Sequence, residues 1–300
     1  MPGRLHADEV DIDVALAARL IAEQLPGYAR LPLRRIASGG TDNAVFRLGA
    51  ELAVRMPLRP GAVDGVRKEV RWLPVIAPHL TLPIPEVVAI GEPGAGYPFP
   101  WAVLRWLPGQ DALTAPFRSL ADTAVALGRF VAELQSIDVA GAPPPGAEGF
   151  SRGLPIAGRD AVFRASLARC DGLVDVARVA AIWDDALSAP PWDGPPVWLH
   201  ADLIPGNLLV RDGRLAGILD FGTMATGDPA YDVTPAWHLL DQANRRTFLD
   251  LVGADAATRR RARGLVVSGG VIALPYYLDS NPAMVTTARH GIAAVLSDPD

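Results

Sequence analysis

Residues 200–222 read HADLIPGNLLVRDGRLAGILDFG, and this run constrains the chain more than any other. Two apolar stretches, NLLV and LAGIL, flank Arg211-Asp212-Gly213-Arg214. Strand-like residues on either side of an Asp-Gly turn predict a β-hairpin. In this apolar setting stand His200, Asp202, Asn207 and Asp220. Burying unpaired charge is expensive, so the segment requires a compensating partner.

Asn207 and Asp220 flank the hairpin at similar distances from its turn, and antiparallel pairing predicts that they share its open end, opposite one another to within a residue or two of register. A carboxylate and an amide oxygen meeting there are hard oxygen donors of the kind Mg²⁺ accepts, with waters and phosphate oxygens completing the octahedron. Asp202, in the loop entering the hairpin, is placed to orient a hydroxyl and accept its proton as phosphoryl transfer proceeds. His200 is placed to brace that loop by hydrogen bonds. A structural hairpin held by its own hydrogen bonds is the alternative for the same residues.

The hydrophobic period divides the rest. Ile12, Leu16, Leu20 and Ile21 fall at helical spacing, so a helix opens the chain. Residues 33–57 alternate around two glycine turns and predict a three-stranded meander. Helical spacing returns over 62–73, with Pro74 and Pro78 expected to break the run. EVVAIG and PWAVLRWL read as two further strands. Beyond residue 109 the pattern is chiefly helical, over 117–135, 158–169, 173–188 and several segments after 230. The expectation is therefore an α+β chain with a β-rich part over 1–105 and a larger helical part over 106–300, joined near 104–109.

Composition limits the chemistry. The 300 residues are 50% hydrophobic and 20% charged, a globular balance with enough chain for one large domain or two lobes. The net charge of −5 accompanies no basic run interleaved with aromatics, so nucleic acid is not an expected partner. Cys170 is the lone cysteine, which excludes an internal disulfide and a multi-cysteine metal cage. Lys68, the lone lysine, is followed by Glu69, so no Walker A loop exists and P-loop kinases and ATPases are excluded. No signal-peptide core and no run of 18 uncharged apolar residues are found, and a cytoplasmic protein without membrane contact is expected.

HADLIPGN followed by ILDFG resembles the catalytic and metal-binding loops of the aminoglycoside phosphotransferase family, whose fold is protein-kinase-like. The resemblance runs from SGGTDNAVFRLG through VRWLPVIAPHL and WAVLRWLPG to GDPAYD at 227–232. It implies a bilobal molecule: a five-stranded antiparallel N-lobe sheet with one main helix, and a mostly helical C-lobe with a small catalytic β-hairpin. Asp202 would be the catalytic base, with His200 beside it, and Asn207 and Asp220 would hold magnesium. Ser38, Gly39 and Gly40 would cover the nucleotide, ATP or GTP. Arg55 in LAVRMP takes the position of the usual lysine, with Glu69 as its natural partner. The backbone around Leu104 to Leu107, Trp106 included, would bond the purine. Ala201 stands where the family often has glycine, and Ile204 where histidine is frequent.

Trp237, His238 and Asp241 could line a pocket for the small-molecule acceptor, or form an amphipathic helix packed on its neighbours. Asp228 and Asp232 in GDPAYD are read as pinning loops together. The acceptor hydroxyl would belong to an aminoglycoside or other antibiotic, such as a macrolide or cyclic peptide, or to a metabolite such as a sugar or amino alcohol. Residues 231–300 balance seven acids with seven arginines and offer no evident trap for a polycation. A nucleotide-binding regulator without turnover is the reading from another class.

Overall fold

The computed structural model describes residues 8–36, 42–142, 144–146 and 152–298, so the glycine turn of Ser38, Gly39 and Gly40 lies outside the described residues. The chain divides into two compact units, 1–109 with 217–222, and 110–216 with 223–300. The segment 217–222 thus belongs with the N-terminal part, which a single boundary near residue 105 does not anticipate.

In the first unit, α1 (Val14–Gln24) is capped by Asp13, whose carboxylate accepts the Leu16 N–H at 2.7 Å. The strands β1 (Leu33–Arg35), β2 (Asn43–Leu48) and β3 (Leu52–Pro57) form the meander. After α2 (Val63–Ile76) come β4 (Val87–Gly91) and β5 (Trp101–Arg105). All five strands pair antiparallel in the order β1-β2-β3-β5-β4.

Alternation along β5 explains why this sheet needs two helices. Trp101 and Val103 join Phe46, Val54, Leu20 and Ile21 in one core, while Ala102 and Leu104 pack with Val66 of α2 in another. Both faces of the sheet are covered, and every residue of β3 is buried.

Pro74 does not end α2; the helix runs through it to Ile76. Proline forfeits the hydrogen bond to the Val70 carbonyl, but Leu73 and Ile76 are both 1% exposed, and their burial outweighs that loss. A glycine in the same helix has a different cause. A Cβ on Gly65 would stand 3.2 Å from the Gly222 Cα, so its absence lets residues 217–222 approach the helix closely. The Ile218 N–H fixes the same segment by donating to the Pro83 carbonyl at 3.0 Å.

The second unit begins with β6 (Gln110–Asp111), α3 (Leu120–Ser136), α4 (Asp160–Leu167) and α5 (Val176–Ser188). Then come β7 (Val197–Leu199), β8 (Leu208–Arg211), β9 (Arg214–Ile218) and β10 (Ala225–Gly227). It ends with α6 (Pro235–His238), α7 (Gln242–Leu251), α8 (Ala256–Tyr277) and α9 (Pro282–Leu296). Side chains of Ser119, Asp175, Asp241, Asp255 and Asn281 cap α3, α5, α7, α8 and α9 in turn. The hairpin turn has Asp212 at φ 53° and Gly213 at φ 71°, the left-handed pair that a two-residue hairpin loop requires. Two pairings had no sequence signal: β6 joins β8, and β10 pairs with β7. Among the described residues no helix is long and apolar enough to cross a membrane.

Asp228 anchors this unit. Its carboxylate accepts from Arg261 Nε at 2.7 Å and Nη2 at 3.1 Å, and from the Ala230 N–H at 2.9 Å. Both side chains of the ion pair are at most 5% exposed. Deleting one partner strands the other charge in the interior. Arg261→Ala should therefore lower unfolding free energy in urea by about 3–5 kcal/mol; a loss below about 1 kcal/mol would place the pair among surface bridges of little worth.

Candidate active site

Arg55 lies opposite Ala102 across the β3–β5 ladder, which turns it toward α2. Its Nη1 donates to Glu69 Oε1 on that helix, and its Nη2 to Asp220 Oδ1 at 2.5 Å. With the Asn43 amide in the orientation that satisfies both its atoms, the Asn43 oxygen accepts from Arg55 Nε at 3.1 Å and Nη2 at 3.0 Å. Three acceptors from three segments of the first unit thus converge on one guanidinium. Burial opposes the charge on Arg55, but Asp220 and Glu69 outweigh it and hold the group firmly protonated.

One cation cannot neutralise two carboxylates. Burial pushes the Glu69 carboxyl up to about 7, with Asp220 adding to the rise against the pull of Arg55. Asp220 itself has φ 61°, a left-handed conformation tolerated by aspartate, and its side chain is 41% exposed.

In the second unit the loop after β7 is fixed by Asp232. Its two carboxylate oxygens accept the His200 and Ala201 N–H groups, each at 2.7 Å. Ala201 has φ 64°, a strained value for alanine, and the two charge-assisted bonds hold it there. Burial raises the Asp232 carboxyl, while His200 and these N–H donors act in the opposite direction. His200 is fully buried; its Nδ1 accepts the Asp202 N–H at 3.2 Å, and its carbonyl accepts from Thr223 Oγ1 at 3.1 Å. The imidazole therefore acts as the expected brace.

Asn207 Nδ2 donates both to the Asp202 carbonyl at 2.9 Å and to Asp202 Oδ2 at 3.0 Å. This commits the amide nitrogen to Asp202 and leaves the amide oxygen as the atom that Asn207 offers to a cation. That oxygen, in the second unit, and the half-exposed Asp220 carboxylate, in the first, are each hard donors of the kind Mg²⁺ accepts. Among the described residues no cluster of three or more His, Cys, Asp or Glu that could hold a metal ion is found.

Two N–H groups of the connector are used within the first unit: the Arg105 N–H donates to the Glu86 carbonyl at 2.8 Å and the Trp106 N–H to the Glu51 carbonyl at 2.7 Å. The Trp106 ring lies under the Arg47 guanidinium at 3.9 Å, and Leu104 is a buried core residue of β5. Trp237 is 1% exposed and donates its indole N–H to Asp298 at 2.5 Å, so it packs rather than lines a pocket. Burial lowers His238 to about 4, with His290 adding to the shift. Asp241 caps α7 and borders a cavity of about 550 Å³ with Arg245, His290 and Asp298, to which the 200–207 loop contributes no residue. Asn43, at the end of the stretch that resembles the nucleotide-covering loop, was not expected to meet Arg55, and Arg152 escaped the sequence reading. Arg152 Nη2 stands 3.9 Å from Asp202 Oδ1, a contact that no local pattern signals.

The raised Glu69 carboxyl has a consequence for stability. Its value lies above the ordinary 4.5, so proton uptake favours the folded chain; that contribution is complete below pH 4.5 and is lost as pH rises through 7. Urea unfolding of the wild type between these limits should show stability falling by up to about 1.4 kcal/mol per pH unit from this group, a component that Glu69→Gln removes. An unchanged slope in the variant would rule out Glu69 as its source.

The family model of the phosphotransferase enzyme family APH matches residues 33–265. A mutant of aminoglycoside 2′-phosphotransferase-IIIa in its GDP complex superposes over 94% of this chain and 96% of its own, at 20% identity and a TM-score of 0.71. The macrolide 2′-phosphotransferase MphH from Brachybacterium faecium covers 94% of this chain and 99% of its own, at 24% identity and a TM-score of 0.63. A homoserine kinase from Granulibacter bethesdensis is 45% identical over 53 residues, a match spanning 18% of this chain and only 17% of that protein. The α+β architecture, the five-stranded antiparallel sheet and the matched extent agree: this chain belongs to the APH phosphotransferase enzyme family.

Proposed function

We propose that the protein transfers the γ-phosphate of ATP or GTP to a hydroxyl of a small molecule. The observation that carries this reading is the 200–207 loop, where Asp232 fixes the His200 and Ala201 N–H groups, and His200 and Asn207 hold Asp202 by its backbone and side chain while that side chain stays 30% exposed. A carboxylate so fixed is a base with a defined direction.

The acceptor hydroxyl hydrogen-bonds Asp202. As its oxygen forms a bond to the γ-phosphorus, the bond to the bridging oxygen breaks, the nucleoside diphosphate leaves with that electron pair, and the hydroxyl proton passes to Asp202. Asn207 and Asp220 are the residues that would hold Mg²⁺, which when bound supplies positive charge to the phosphate oxygens. Arg55 supplies fixed positive charge near the phosphates. Its Nη2 and Nε are already directed at Asp220 and Asn43, so it positions Asp220 as well as replacing the usual lysine.

The glycine turn at 38–40 is assigned to the nucleotide by sequence alone, and a cytoplasmic location would supply the nucleotide. The structural neighbours suggest an antibiotic acceptor, an aminoglycoside or a macrolide. The short match to a homoserine kinase suggests a hydroxylated metabolite.

Asp202→Ala should lower acceptor-dependent release of nucleoside diphosphate by at least about 10²–10⁴-fold, while nucleotide still raises the melting temperature. Retained turnover would remove Asp202 as the base. Asp220→Ala should abolish the magnesium dependence of nucleotide binding in calorimetry, and an unaltered dependence would exclude it as a ligand.

A further inference from the structure

The segment 152–159 of the second unit carries two arginines and is tied down at several points. The Gly153 carbonyl accepts the Asp228 N–H at 3.2 Å, and a Cβ on Gly153 would fall 2.2 Å from the Thr226 carbonyl, so only glycine allows this approach. Tyr231 Oη donates to the Leu154 carbonyl at 3.1 Å. This anchoring sets Arg152 beside Asp202, Nη2 to Oδ1 3.9 Å. It also directs Arg159 at Tyr231 and at Ser268 of α8, the latter 3.4 Å from Nε.

The charges do not balance here. Asp228 is taken by Arg261, and Asp232 by the His200 and Ala201 N–H groups. Among the described residues Arg152 has only Asp202 as a carboxylate partner, at a distance too long for a hydrogen bond, and Arg159 has none. Burial and the neighbouring Arg152 both disfavour the charge on Arg159. Arg152 beside a reacting carboxylate, with Arg159 close enough for the two arginines to disfavour each other's charge, repels a polycation and attracts an anion.

We propose that the acceptor is a small hydroxy acid or hydroxylated amino acid, whose carboxylate is gripped by Arg152 and Arg159 while its hydroxyl faces Asp202. This rests on the kinase reading above and names its substrate class. A molecule that hydrogen-bonds Asp202 through its hydroxyl and Arg152 Nη2 through a carboxylate oxygen has those oxygens at most about 9.5 Å apart, given two bonds of about 2.8 Å across the 3.9 Å gap. The acceptor's hydroxyl and carboxylate therefore lie within that span. Phosphorylation proceeds as described, with the hydroxyl proton going to Asp202 and the nucleoside diphosphate leaving; the carboxylate takes no part in bond changes.

The test pairs L-homoserine, L-serine and 4-hydroxybutyrate with their primary amides, adds an aminoglycoside, and reads acceptor-dependent release of nucleoside diphosphate. At least one acid should exceed its amide by about tenfold or more in kcat/KM. Arg159→Gln should raise KM for that acid by a similar factor, with a smaller change in kcat and no change in KM for the nucleotide. Arg159→Lys, which keeps the charge, should recover part of the loss and shows that a folded variant is being measured. Amides as good as acids, preference for the aminoglycoside, or a rise in the nucleotide KM would overturn the inference and leave the kinase reading standing. Nucleotide binding with no compound consumed would overturn the inference and favour a nucleotide-binding regulator without turnover. Failure to bind magnesium-nucleotide at all would remove the kinase reading and this inference together.

Discussion

The loop that carries Asp202 depends on one buried carboxylate. Asp232 accepts two successive backbone N–H groups and thereby holds Ala201 in a left-handed conformation that alanine does not adopt freely. That single bend reverses the chain between β7 and the hairpin. It brings the His200 ring under the Asp202 N–H and leaves Asn207 free to grip Asp202 from the other side. A glycine at 201 would reach the same conformation without strain, which is a physical reason for glycine being frequent there in the family. Alanine makes the geometry depend more heavily on Asp232.

A similar economy governs the first unit, where one guanidinium serves three acceptors. A lysine at position 55 has three rotatable donors on a point charge, whereas arginine offers a planar fork that meets Glu69, Asp220 and Asn43 at once. The departure from the usual lysine thus has a use, because it couples α2, the sheet and residues 217–222 through one side chain. The close contact of Gly65 with Gly222 permits that coupling. Its cost falls on Glu69, which shares its counter-charge with a second carboxylate in a buried setting.

Much of the fold was legible because the determining signals are local. The Asp-Gly turn, the alternation around Gly49 and the helical spacing of α1 each lie within a few residues, and each produced its element. Pro74 misled because a proline's local penalty was weighed without the burial of Leu73 before it and Ile76 beyond it. Trp237 was left open: an aromatic beside a histidine on a short helix reads equally as pocket or core, and only the bond to Asp298 decides for the core. The Trp106 N–H pairs with Glu51, which happens only once β3 and β5 are side by side.

The residue types needed for phosphoryl transfer and the hairpin between them were determined by the sequence itself, because spacing along one chain limits where such groups can go; the pairing of Arg55 with Glu69 was implied by the family resemblance. The tertiary structure alone decided that Asn43 and Asp220 share Arg55, that Asp232 clamps the loop, and that Arg152 stands beside Asp202. These partners are far apart in the chain. Which of many possible donors and acceptors meet is then set by the packing of helices and strands around them, and that packing has no periodic or local trace to read.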